Sequence, residues 1–300
     1  MDTRPDQATD AVVEAFSTTP NPRLKEILSS MARHLHDWVR EIDPTMAEWE
    51  IAIDFLTRTG HKCDDKRQEF MLLSDVLGIT NLVEQLESRR TNAGATPTTV
   101  LGPFHMVQSP ERELGDEIMS PHGGDPCWVE GRVLGLDGSP IRGARVDVWQ
   151  ADDHGLYDVQ LTDEREIGLG RGLFTTDDEG RYYFRSVVPA PYPIPTDGPV
   201  GELLEATRRH PNRPAHVHLI AEADGFHTIT THAFVAGSEW LDSDAVFAVK
   251  DDLITPFIWI DDPQDAANKG LDNPFRQATF DIRLARNGEK IPDGHNTDRS

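Results

Sequence analysis

The segment Thr91-Asn92-Ala93-Gly94-Ala95-Thr96-Pro97-Thr98-Thr99 separates two stretches of different periodicity, and that difference decides the fold. Small and polar residues broken by Gly and Pro connect regular elements rather than form them. Before residue 96 lie only three of the 23 glycines (Gly60, Gly78, Gly94) and four of the 21 prolines (Pro5, Pro20, Pro22, Pro44). The remainder crowd the last two-thirds of the chain. Sparse punctuation suits long helices, and dense punctuation suits short strands joined by turns.

Outward toward the N-terminus, Leu24, Ile27, Leu28, Met31, Leu35, Trp38, Val39 and Ile42 recur at spacings of three and four, which makes one apolar helix face. Thr45 and Glu48 form a capping box that predicts a second helix carrying Met46, Trp49, Ile53 and Leu56. A third runs through Phe70, Leu73, Val76 and Leu77, and a short fourth through Leu82, Val83 and Leu86. Toward the C-terminus the period falls to two. Val129 through Val133, Val146 and Val148 around Asp147, and Phe280, Ile282 and Leu284 alternating with Asp281 and Arg283 read as strands. With turns at Asp137-Gly138 and Glu179-Gly180, the downstream part is expected to be an antiparallel β-sandwich. The class is α+β, with a helical domain over 1–95 and a sandwich domain over 96–300.

The balance of 29 basic against 52 acidic side chains, net −23, opposes binding to phosphate backbones or anionic membranes. Nucleic-acid binding is therefore not expected. No uncharged apolar run approaches the roughly 18 residues of a membrane span. Between Met1 and Phe16 charged side chains alternate with small ones, so no secretory leader is expected. Two cysteines, Cys63 and Cys127, are too few for a disulfide framework and suit a reducing compartment, so the expected location is the cytoplasm.

The clearest chemical signal is His216-Val217-His218 within the apolar run Ala215 to Ala221. On a strand both imidazoles project from one face and Val217 and Leu219 from the other, so the pair can chelate one ion. An ion needs further donors. Glu222 would complete a His-x-His-x-x-x-Glu set of the cupin kind, although His210 and Ile229 stand where that pattern has glycines. Tyrosines are the other candidates. Tyr182 and Tyr183 sit in a strand-like run and read as packing residues. Tyr157 follows His154-Gly155-Leu156, and Tyr192 is held between Pro191 and Pro193; by themselves both read first as surface loop residues, with a ligand role as the alternative. Arg213, three residues before His216, is a solvated arginine or, beside a metal, a fixed cation.

Taken together, Trp149-Gln150-Ala151-Asp152 leading to Gly155-Leu156-Tyr157, Tyr192-Pro193-Ile194-Pro195 with Asp197-Gly198-Pro199, and Arg213-Pro214-Ala215-His216-Val217-His218 resemble the intradiol ring-cleavage dioxygenases. Within that family the likeness is to the branch that cleaves hydroxyquinol. The resemblance runs from the helices through Leu284. It implies one non-haem Fe(III) per subunit on Tyr157, Tyr192, His216 and His218, with Tyr192 and Arg213 acting in catalysis. Phenolates are hard anionic donors that favour ferric over ferrous iron. The implied substrates are O2 and an aromatic diol or triol, opened to a dicarboxylate in aromatic catabolism. The implied pocket comprises Leu72, Asp75, Val100, Leu101, Gly102, Pro103, Phe104, Ile194, Pro195, Arg213, His232 and Val246. Gly102 would let the backbone approach an aromatic ring closely, and Asp75 could accept a third hydroxyl or be an ordinary helix-surface acid. His232 stands where catechol-cleaving relatives commonly carry glutamine. The family also pairs its N-terminal helices into a homodimer whose groove can hold a phospholipid. Catechol or chlorocatechol cleavage at the same metal site, a cupin-type Fe(II) enzyme using Glu222, and a non-enzymatic β-sandwich binding module are the alternative readings.

Overall fold

A computed structural model describes residues 7–64, 67–91, 94–105, 109–120, 123–160 and 168–288. Asn92 and Ala93 of the linker, the first six residues and the tail from 289 lie outside the described residues.

The first five helices are α1 (Ala8–Ala15), α2 (Pro22–Ile42), α3 (Met46–His61), α4 (Glu69–Val76) and α5 (Ile79–Thr91). Their starts follow local chemistry. Asn21 caps α2 by accepting from the amides of Arg23 and Leu24, with Pro22 in the first turn. The capping box of α3 is reciprocal: the Thr45 amide donates to Glu48, and the Glu48 amide donates to Thr45 Oγ1. By contacts the chain forms two compact units, Met1–Arg58 and Thr59–Ser300, dividing inside α3 rather than at the linker. The physical reason is burial: Leu72 and Val76 of α4 belong to the same apolar core as the strands. The apolar residues of α2, among them Ile27, Met31, Leu35, Trp38 and Ile42, remain exposed.

The second unit continues with β1 (Pro126–Gly135), β2 (Arg145–Gln150), β3 (Arg171–Thr175), β4 (Arg181–Val187), β5 (Tyr192–Pro193), α6 (Pro199–Ala206), β6 (Asn212–Arg213), β7 (His216–Glu222), β8 (Ile229–Val235), β9 (Ile254–Thr255), β10 (Ile258–Ile260), α7 (Pro263–Lys269), β11 (Phe275–Thr279) and β12 (Ile282–Leu284). One five-stranded sheet runs β10-β11-β1-β12 with β4 also paired to β1, a second runs β3-β2-β7-β8-β9, and β5 and β6 form a two-stranded pair. The expectation of an antiparallel sandwich is refined here: β1 pairs with β4 antiparallel but with β11 and β12 in parallel, a direction that the long intervening chain permits. Val129 and Val133 of one sheet and Val146, Val148, Val217 and Leu219 of the other fill a single core. Burying each such side chain contributes about 1.5–3 kcal/mol.

Tyr182 and Tyr183 are packing residues. Tyr183 stacks on Trp128 at 5.2 Å, and the buried Tyr182 hydroxyl donates to the Phe280 carbonyl at 2.6 Å. Tyr182→Phe leaves that carbonyl without its donor and should lower stability by about 1–3 kcal/mol in chemical denaturation, with metal content unchanged.

Candidate metal centre

The alternation of β7 sends Val217, Leu219 and Ala221 into the core and His216, His218, Ile220 and Glu222 to the opposite face of the sheet. Register then selects their neighbours. Trp149 of β2 and His232 of β8 flank His218 on that face. Trp149 stacks on the His218 ring at 4.5 Å and 8°. His216 Nδ1 engages the Pro214 carbonyl at 2.7 Å, which leaves Nε2 to face His218 Nε2 across 3.1 Å.

Both loop tyrosines are buried at this face, so neither is a surface residue: Tyr157 is 0% and Tyr192 3% exposed. Their rings meet edge-on at 5.2 Å. Two glycines permit the approach. Gly155, at φ +82°, lies where a Cβ would come 2.8 Å from the Pro191 carbonyl oxygen and 3.2 Å from Tyr192 Cβ. Gly102, at φ +76°, lies where a Cβ would come 3.1 Å from His218 Cε1, so the ring it accommodates is the imidazole itself. Asp152 shapes the Tyr157 loop by accepting from the amides of His154 and Leu156, both at 2.8 Å. The next residue, Asp158, is locked to buried Arg171, whose Nη2 also donates to the Phe104 carbonyl at 2.7 Å. Phe104 in turn stacks on Tyr157 at 4.6 Å.

Tyr192 pairs with Arg213 across β5 and β6. Arg213 is 2% exposed and not solvated. Its Nε donates to Asp244 at 3.1 Å, and its Nη1 lies 3.4 Å from Tyr192 Oη and 3.3 Å from His216 Nε2. Burial opposes its charge, but Asp244 and then Tyr192 outweigh that and hold its pKa above the ordinary arginine value. Burial first, then Tyr192, raises the Tyr157 phenol well above its usual range. Burial first, with Arg213 contributing, depresses His216, His218 and His232 well below the ordinary imidazole range.

The other sequence candidates divide. Leu72, Val100, Ile194 and Val246 are buried in the main core, Phe104 and Pro195 are half-buried, and Leu101 and Pro103 are exposed. Asp75 is not a surface acid. It is 4% exposed, its Oδ1 has no hydrogen-bond partner, and burial, ahead of its interactions with Arg213 and Asp244, raises its pKa. Glu222 is excluded from the centre: it is six residues, roughly 20 Å, along the strand from His216 and pairs with Arg145 at 3.3 Å. It lines an open cavity of about 470 Å³ with His105, Arg145, Asp147 and Ile220, on the same face but beyond Trp149. Sequence reasoning missed Asp244, Asp158, Arg171 and Thr99. Only Asp158, adjacent to Tyr157, was marked by its position.

The comparisons with known proteins bear on this arrangement. Residues 102–286 match the family model described as Dioxygenase, and residues 21–95 match Catechol dioxygenase N terminus. The chain belongs to the intradiol ring-cleavage dioxygenases. It is 50% identical over 250 residues to 6-chlorohydroxyquinol 1,2-dioxygenase of Cupriavidus pinatubonensis, covering 83% of this chain and 90% of that protein. It is 45% identical over 282 residues to hydroxyquinol 1,2-dioxygenase of a Rhizobium species, covering 94% and 95%. The crystal structure of hydroxyquinol 1,2-dioxygenase from Pseudomonas putida superimposes with a TM-score of 0.86 at 43% identity, over 94% of this chain and 99% of that one.

Intradiol dioxygenases depend on non-haem iron, and the residues here fit such an ion. The Tyr157 hydroxyl is buried without a hydrogen-bond partner. Tyr192 Oη, His216 Nε2 and His218 Nε2 follow one another at 3.5 and 3.1 Å, a spacing suited to donors on a common ion. The depressed histidines also make a prediction for this intradiol dioxygenase in its metal-free form. In the unfolded chain they protonate near pH 6.5, while in the fold they resist protonation, so the unfolded state binds more protons as pH falls. Stability should hold above about pH 6.5 and decline below it by up to about 1.4 kcal/mol per pH unit for each imidazole. Denaturation midpoints measured from pH 7.5 to 5 check this, and a flat profile contradicts it.

Proposed function

We propose that this chain cleaves hydroxyquinol (1,2,4-trihydroxybenzene) between its vicinal hydroxyls with both atoms of O2, giving 3-hydroxy-cis,cis-muconate, whose keto form is maleylacetate. The reaction belongs to aromatic catabolism in the cytoplasm. One Fe(III) per subunit is held by Tyr157, Tyr192, His216 and His218. When bound, the ferric ion draws electron density from a chelated diol and so opens the ring to O2.

The chain's own residues supply the rest. Tyr192 Oη, in reach of Arg213, takes a proton from one of the vicinal hydroxyls. Arg213, held charged by Asp244, stabilises negative charge on the ring oxygens. Leu72, Val100, Ile194 and Val246 exclude water, and Gly102 and Pro195 shape the pocket. Leu101 and Pro103, being exposed, form the rim.

The observation that carries the choice of substrate is Asp75: a buried carboxyl with one unpartnered oxygen, within electrostatic reach of Arg213 and Asp244. A catechol ring leaves that oxygen unpaired, and a third hydroxyl satisfies it. The hydroxyquinol-cleaving relatives support the same substrate. Homodimer formation through the N-terminal helices, with a phospholipid in the groove, is part of this reading. It is supported by the exposed apolar side chains of α2 and by Met46, Trp49 and Ile53 of α3.

Steady-state kinetics test the substrate. Wild type is expected to show the higher kcat/KM on hydroxyquinol. Asp75→Leu should lower that value by about 1–3 kcal/mol, roughly 5- to 150-fold, and leave catechol turnover far less affected. A higher kcat/KM for catechol in the wild type would support the catechol reading instead.

A further inference from the structure

His232 lies on the metal-binding face, yet the four proposed ferric ligands do not include it. It stands on β8 directly across from His218, with ring centroids 4.1 Å from His218 and 4.7 Å from His216. It is fully buried. Its Nδ1 is engaged by Thr99 Oγ1, while its Nε2 has no hydrogen-bond partner. One ligand nitrogen from each of His216, His218 and His232 falls within 4.8 Å of the other two. Two imidazoles at i and i+2 of a strand, with a third across the strand pair, bring three ligand nitrogens within reach of one another. Three-histidine sites of this composition hold zinc and leave a fourth position open. Neutral imidazoles suit divalent ions of the later first row, whereas two phenolates suit a hard trivalent one.

We propose that the centre has a second, tyrosine-independent binding mode in which His216, His218 and His232 together hold a divalent cation such as zinc or cobalt(II). The inference rests on this face being the metal centre and not on the ferric assignment, since the two modes share only His216 and His218. Zinc then competes with iron for the metal-free protein. His232 sets the strength of that competition, and Thr99 is the positioning residue that fixes its ring.

Cobalt(II) titration of the metal-free full chain, followed by visible d–d absorbance and zinc displacement, tests this. The Tyr157→Phe/Tyr192→Phe variant is expected to bind cobalt as the wild type does. His232→Gln should bind it at least about tenfold more weakly, and Thr99→Val about tenfold more weakly through loss of the ring's anchor. X-ray absorption on cobalt-loaded wild type should count three imidazoles, a readout independent of how any variant folds. Two imidazoles, unchanged affinity in His232→Gln, or loss of cobalt binding in the double tyrosine variant each overturn the proposal. The ferric reading fails separately, if the double tyrosine variant loaded with iron keeps the colour of the wild type.

Discussion

The alternation of side chains along β7 is the constraint on which both the core and the site depend. Val217, Leu219 and Ala221 are committed to the apolar core, and that commitment leaves His216 and His218 no face but the other. A one-residue slip in register would bury the imidazoles in the sandwich and expose the valine and leucine, so the energy that holds the core also holds the two imidazoles. The neighbouring strands then deliver Trp149 and His232 to the same row. Loops, α4 and the short β5–β6 pair bring the remaining polar groups over it.

Charge buried at that face is held by a few closed pairs. Arg213 with Asp244, and Arg171 with Asp158, are each 1–2% exposed. A lone charge at such depth would be costly, and breaking a buried pair by removing one partner typically costs about 3–5 kcal/mol. Each pair also sets geometry. Asp244 accepts from the amides of Val246 and Ala248 while orienting Arg213 toward Tyr192, and Arg171 ties the Tyr157 turn to Phe104. The same burial raises the Tyr157 phenol and depresses the imidazoles, so the imidazoles could bind a cation as they stand whereas the phenol would first release its proton to solvent or a base.

Much of this was legible in the sequence because it is local or periodic. The helix start at Thr45, the switch from spacings of three and four to period two, and the common face of His216 and His218 follow from spacing alone. The two tyrosines were ambiguous, because nothing within the 157 or 192 loops says that each will be covered; Gly155 and Gly102 permit it through contacts with distant residues. Asp244 and Arg171 were not legible at all, since their partners lie 31 and 13 residues away and no period connects them. The place where the chain divides into compact units was obscured for a related reason. Amphipathic helices look alike whether they contribute to the strands' core, as α4 does, or stay exposed, as α2 does.

The net charge of −23 takes on a narrower meaning beside this centre. A neutral aromatic triol would feel little of the acidic exterior, and under the proposed function the cationic Arg213 and a metal ion would dominate the field where it reacts. The central claim is that buried tyrosinates hold ferric iron to which the substrate binds directly. The visible spectrum of the iron-loaded protein, recorded before and after anaerobic addition of hydroxyquinol, tests it most directly. A phenolate-to-Fe(III) charge-transfer band that shifts on addition is the predicted result. An iron-loaded protein without such a band, or a band that hydroxyquinol leaves unmoved, would contradict it.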